Sequence, residues 1–238
     1  MEMIPRADTG THDAAQEGNT MARHVSFTSG SRMALLSAVL LTLSAVAGHA
    51  QTVLDEWAGV TAPPPPALKD ASVPDGKATA VLVMDINGQT CSAQRRPRCA
   101  NGMPRLQKLV ADARAKGALI IYTLTSSATA ADILKEVAPQ PGDPVLKSAG
   151  PDKFMGNDME KILRERGIKT VIATGTAAHT SVLHTGSGAA LRGYDVIVPV
   201  DVISSDLAYQ EQYTLHHLTV ASRVMNKVTL TTTTRLKF

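Results

Sequence analysis

The chain has 238 residues, is 44% hydrophobic and carries a formal net charge of +3, which fits one globular domain with additional segments. Lys and Arg are scattered among acids, and the tightest basic cluster, "RRPR" at 95–98, lies between two cysteines; it reads as a solvated loop, and no nucleic-acid partner is expected. With three Phe, four Tyr and one Trp the core must be aliphatic, and stacking platforms for bases or sugars are not expected.

The first fifty residues form an N-terminal extension with a targeting pattern. A basic start (Arg23, Arg32) precedes an apolar run over 33–47, and the small residues Gly48 and Ala50 stand where a cleavage site needs them. The reading is a signal peptide beginning at Met21; the alternative is a retained anchor, although the run is short for a bilayer core. The mature chain then begins near Gln51, is periplasmic or secreted, and keeps no stable membrane association. In an oxidising compartment Cys91 and Cys99 are expected to close a small disulfide loop; the rival reading is a free thiol at Cys91, with no visible activating group.

Residues 51–76 are a proline-rich, extended lead-in that ends in "VTAPPPPALKDASVPDG", because proline cannot join a helix interior or a central strand. The domain proper covers 77–238. Its elements alternate: "TAVLVMDI" a strand, "MPRLQKLVADARAKG" a helix, "ALIIYTLT" a strand, "TAADILKEV" a short helix, "DPVLK" a brief strand. "NDMEKILRERG" is then a helix, "KTVIATG" a strand, "TSVLHTGSGAALRGY" a helix, "DVIVPVD" a strand, "LAYQEQYTLHHLTVASRVM" a helix and "KVTLTTTTRL" a last strand. Apolar runs of this length between helical patterns imply an α/β fold with a doubly wound, mostly parallel sheet buried on both faces. In such sheets ligands sit beyond the carboxyl ends of the strands. Three strands end there in chemistry-bearing residues: Asp85, the "TGTAAHTS" turn, and Asp201.

The order "VLVMDIN", then "DKFMGNDMEKILRERGIKTVIATGTAAHTSVLHTGSGAALRGYDVIVPVDVISSD", resembles the isochorismatase-like hydrolase superfamily over about residues 79–238, most specifically between Lys153 and Asp206. The resemblance implies a three-layer α/β/α sandwich with about six strands and a small-molecule substrate. It places Asp85 as the catalytic Asp of the first strand, with Asn87 beside it as a substrate contact, and Ser181 where cysteine-type members carry their nucleophile. The catalytic lysine is assigned to Lys147, with Lys153 in reserve as a substrate-binding residue. A cis peptide is implied at Thr176–Ala177, with the backbone N–H groups of Ala177 and Ser181 as oxyanion donors. His179 and His184 are candidates for a base or a substrate contact. The His-rich segment of metal-binding nicotinamidases has no counterpart in "INGQTCSAQRRPRC", so no metal or other cofactor is implied. Family members commonly form homo-oligomers, and the "YQEQYTLHHL" helix is the expected contact.

Two functions stay open. One is a hydrolase of amide or vinyl ether type in which Asp85 is general acid or base. The other is a noncatalytic binding protein that keeps the pocket and has lost the nucleophile. Ser181 also has a plain structural alternative, the capping of its helix.

Overall fold

The computed structural model describes residues 52–238; the targeting segment expected over 1–50 lies outside the described residues. One helical turn, α1 (Val53–Glu56), opens the described chain. Thr52 starts it by donating its N–H and hydroxyl to the Asp55 carboxylate at 2.8 and 2.9 Å. Residues from Gly59 onward form a separate body. There the proline run leads into β1 (Ala71–Ser72).

The sheet starts with β2 (Thr79–Met84), which is buried at every position. Because successive side chains of a strand point to opposite faces, Ala80, Leu82 and Met84 join one core and Val81 and Val83 the other. The helix α2 (Pro97–Ala115) begins six residues earlier than the sequence pattern suggests. Pro97 occupies its first turn, where the missing N–H costs nothing and the ring's φ already suits a helix. Cys99, Met103, Leu106, Val110 and Ala113 recur at helical spacing and cover the Val81 face together with Ile120, Tyr122 and Ile172.

The chain continues through β3 (Leu119–Leu124), β4 (Val145–Lys147), α3 (Met159–Glu165), β5 (Thr170–Thr176), α4 (Leu183–Leu191), β6 (Asp195–Pro199), β7 (Ile203–Ser204), α5 (Ala208–Val220), β8 (Val228–Thr231) and β9 (Leu236–Lys237). Met159, Leu163, Leu183, Ala189 and Leu218, from α3, α4 and α5, pack on the Leu82 face. Gly186 on α4 faces Leu218 of α5, and a Cβ there would make an ordinary contact with a Leu218 methyl at 3.6 Å.

The strand order is β4-β3-β2-β5-β6-β8, with β7 added to the end of β5. Every pairing in the sheet is parallel. The chain winds outward from β2 to β4, returns to β5 beside β2, and winds outward again to β8. The fold is therefore the expected three-layer, doubly wound α/β/α sandwich, and its switch point lies between the carboxyl ends of β2 and β5.

The departures from the sequence expectation are local. The helix expected at 129–137 is two 3₁₀ turns, Ala130–Asp132 and Lys135–Val137. Ile133 between them is extended and bridges Asn87 in antiparallel fashion, so a tertiary pairing overrides a helical pattern. The last expected strand splits into β8 and β9, the latter pairing with β1 as a separate two-stranded sheet.

Candidate active site

The switch point is built by two unusual backbone positions. Asp85 follows β2 with φ of 54°, a left-handed conformation that costs a side-chain-bearing residue energy and must be held by its surroundings. Its N–H donates to Thr123 O at 3.1 Å, and its carbonyl accepts from the Thr90 hydroxyl. Gly175, opposite Met84 in the β2–β5 register, has φ of 113°. A Cβ on it would sit 2.2 Å from Met84 O, so only glycine lets β5 approach the strand that ends in Asp85. The Thr176–Ala177 peptide that follows is cis.

Asp85 is 3% exposed, Lys153 4% and Ser181 4%, which puts all three in a water-poor interior where electrostatic interactions are strong. Asp85 Oδ2 lies 2.7 Å from Lys153 Nζ and accepts the Ser181 hydroxyl at 2.8 Å. Oδ1 accepts from Thr123 Oγ1 at 3.2 Å. A carboxylate thus receives a cation and two hydroxyl donors, each from a different element. Ser181 lies inside the helical turn Ala178–Val182, whose N-cap position is Ala177, while that of α4 is Val182, so it caps neither; its hydroxyl is committed to Asp85.

The lysine at the site is Lys153, and the assignment to Lys147 is corrected. Lys147 closes the edge strand β4 and is exposed; the backbone carbonyl of Lys147 receives Asn157 Nδ2 at 2.9 Å. Lys153 is directed inward by its neighbours. Phe154 is buried in the Leu82-side core and stacks on Tyr194 at 6.5 Å, with the Arg192 guanidinium 4.4 Å above its ring. The Lys153 N–H donates to Thr185 Oγ1 at 3.0 Å, and its carbonyl accepts from Asn157 Nδ2 at 3.0 Å. The apolar anchor Phe154 next to a lysine was the signal in the sequence.

Other candidates disperse. His179 is half-buried, and its Nδ1 lies 2.9 Å from Ser205 Oγ rather than against Ser181. His184 is exposed on α4. Asn87 is fully buried; its Oδ1 accepts the N–H groups of Gln89 and Thr90 at 3.0 and 3.2 Å, while its Nδ2 has no partner. Ala177 is half-buried, and its carbonyl accepts the N–H groups of Thr180 and Val182 at 3.1 and 3.3 Å, closing the turn that carries Ser181. Asp201 accepts from the Thr233 N–H and hydroxyl at 2.9 and 2.6 Å, a loop tie away from the Asp85 cluster.

The basic cluster is solvated, as expected, at Arg95, Pro97 and Arg98, but not at Arg96. Cys91 and Cys99 form a disulfide, and within its loop Arg96 is 5% exposed. Its fork meets Asp206, with Nε at 3.1 Å from Oδ1 and Nη2 at 3.2 Å from Oδ2, and Nη1 donates to Thr176 Oγ1. The Arg96 hydrogen bonds hold the Asp206 carboxyl below the ordinary aspartate value of 3.8; burial opposes them, and the charges of Arg96 and Arg95 add weaker pulls in the lowering direction.

Comparison with known proteins agrees with this architecture. A family model described as the isochorismatase domain matches residues 79–233. The secreted isochorismatase effector Isc1 of Verticillium dahliae is 29% identical over 110 residues, covering 42% of this chain and 58% of that protein. N-carbamoylsarcosine amidase of an Arthrobacter species is 25% identical over 143 residues, 49% of this chain and 54% of that protein. The chain therefore spans little more than half the length of these relatives. Among solved structures, an isochorismatase family protein from Desulfovibrio vulgaris superposes with a TM-score of 0.59 at 20% identity, covering 66% of this chain and 95% of that one. The nicotinamidase of Staphylococcus aureus gives 0.58 at 20% identity, with 65% and 99% covered; at such identity the likeness is one of fold. With the domain match extending over most of the chain and the doubly wound sheet reproduced, the chain belongs to the isochorismatase family.

Proposed function

We propose that the chain is a small-molecule hydrolase in which Asp85 moves the proton, Lys153 is its counter-ion and the Ala177 and Ser181 backbone N–H groups polarise the reacting oxygen. The observation that carries this reading is the convergence of Lys153 Nζ and Ser181 Oγ on one oxygen of a buried Asp85, at 2.7 and 2.8 Å. A carboxylate so placed can take a proton from an attacking hydroxyl and, once protonated in this way, hand that proton to the leaving group. Preorganised backbone donors at the developing oxyanion contribute on the order of 3 kcal/mol each. The names of the relatives, an amidase, a nicotinamidase and an isochorismatase effector, support an amide or a vinyl ether as the bond broken. The disulfide and the described secretion of one relative support work outside the cytoplasm, where such bonds persist.

The test is turnover of amides, vinyl ethers and esters by the wild type, Asp85→Asn and Ser181→Ala. Asp85→Asn is expected to remove nearly all activity, and Ser181→Ala to cost less than about tenfold, or about 1.4 kcal/mol of transition-state stabilisation. A second reading, in which Ser181 Oγ attacks and forms an acyl-enzyme, is favoured by its hydrogen bond to Asp85. Equal and total losses in the two variants would establish that reading and sink the first. Inactivity of the wild type on every class, with ligand binding retained, would mean a binding protein.

A further inference from the structure

The disulfide loop carries three arginines, and all three face acids that flank the start of α5. Arg95 Nη1 lies 2.8 Å from Asp206 Oδ1, and Arg98 Nη1 lies 3.2 Å from Glu211 Oε2. These two arginines are half-exposed at 55% and 49%, whereas the Arg96 side chain is 6% exposed. Exposed pairs of the first kind contribute little, about 0–1 kcal/mol. Arg96 differs because its guanidinium passes the acid and continues inward.

Beyond Asp206, Arg96 Nη1 donates to Thr176 Oγ1 and, at 3.4 Å, to Thr90 O. Thr176 precedes Ala177 and donates its own hydroxyl to Ser204 O at 3.1 Å. Thr90 donates its hydroxyl to the carbonyl of Asp85. One buried cation therefore touches both strand ends of the switch point, the turn after β5 through Thr176 and the Asp85 loop through Thr90. The planar fork reaches three partners in fixed directions, which an ammonium cannot do. Asp206, being 37% exposed at its side chain, remains solvated without Arg96, so its charge alone does not account for burying a guanidinium here.

We propose that Arg96 is a positioning residue: it fixes the Thr176 side chain and thereby the direction of the Ala177 N–H and the placement of Ser181 against Asp85. The proposal rests on the reading of Ala177 and Ser181 as donors in a hydrolase, and it extends that reading to a residue that touches no reacting atom. The disulfide holds the loop from which Arg96 reaches in, its two cysteines lying on either side of the arginine.

The test uses the full mature chain in three forms: wild type, Arg96→Lys and Arg96→Met. With a substrate found in the turnover screen, Arg96→Met is expected to lower kcat by about 100-fold, the cost of a misplacement near 1 Å, with KM unchanged. Arg96→Lys is expected to recover part of that loss, since it restores the charge without the fork. In parallel, amide resonances of chain labelled with nitrogen-15 alanine report Ala177 directly. That signal is expected to move in Arg96→Met while alanines of α2 such as Ala113 stay in place. Unchanged kcat in a folded Arg96→Met, or an unmoved Ala177 resonance, would overturn the proposal. If the wild type turns nothing over, the hydrolase reading has failed on its own and the resonance alone decides the positioning role. If Arg96→Met does not fold, Arg96→Lys is read by the same two criteria.

Discussion

The ion pair of Asp85 and Lys153 can be measured as a double-mutant cycle. Both side chains are 5% exposed and 2.7 Å apart. Asp85→Asn leaves the Lys153 ammonium buried without an anion, and removing one partner of a buried pair costs about 3–5 kcal/mol. Lys153→Met leaves a carboxylate that still accepts from Ser181 and Thr123, so its cost belongs at the lower end of that range. The double variant Asp85→Asn/Lys153→Met buries no charge and should be less destabilised than the two singles added together, by well over 1 kcal/mol. For a domain of this size each kcal/mol moves the melting temperature by about 2–4 °C, so Asp85→Asn should melt about 6–20 °C below the wild type. Urea unfolding supplies the free energies, provided the slope m is the same in all four proteins. If the single losses add within about 0.5 kcal/mol, the pair does not interact as its geometry requires. A gain of stability on losing either partner alone would refute the argument equally.

Gly175→Ala should destabilise by at least about 3 kcal/mol in urea unfolding, because φ of 113° disfavours a side chain and the new Cβ would meet the Met84 backbone at 2.2 Å; a loss under 1 kcal/mol would mean that the strands part without cost. The double variant Cys91→Ser/Cys99→Ser should lose about 2.5 kcal/mol, the chain-entropy value for a loop closed across a separation of 8 residues, and the reduced wild type should match it. Asp206 has a folded value below 3.8, so its contribution is complete above that pH and drains away as pH falls through 3.8 toward the folded value. Melting curves of the wild type and Asp206→Asn should therefore differ by a constant amount above about pH 5 and draw together as pH falls through 3.8 toward the lowered folded value; a gap that does not narrow on acidification would contradict the pairing with Arg96.

The apolar strands β2, β3, β5 and β6 were legible in the sequence because burial on both faces leaves unbroken aliphatic runs that only a covered parallel sheet can use. The alternation with amphipathic helices then dictated winding, and winding put Asp85 and the turn after Gly175 at one switch point. Ser181 was legible for the same reason, since its position follows from a strand, a glycine and a helix start in immediate succession. None of that information reaches past local spacing. The choice between Lys147 and Lys153 depended on which side of a loop faces the core, and Phe154 decided it by entering the Leu82-side cluster while Lys153 turned toward Asp85. The burial of Arg96 depended on Asp206 and Thr176, which lie 110 and 80 residues away in the chain. No periodicity encodes such a pairing, so an arginine between two cysteines looks solvated until the sheet brings its partners together. The β1–β9 pair and the broken helix at 129–137 were hidden for that reason too: their backbone partners come from distant segments, and hydrogen bonds across the fold outweigh propensities worth a few tenths of a kcal/mol per residue.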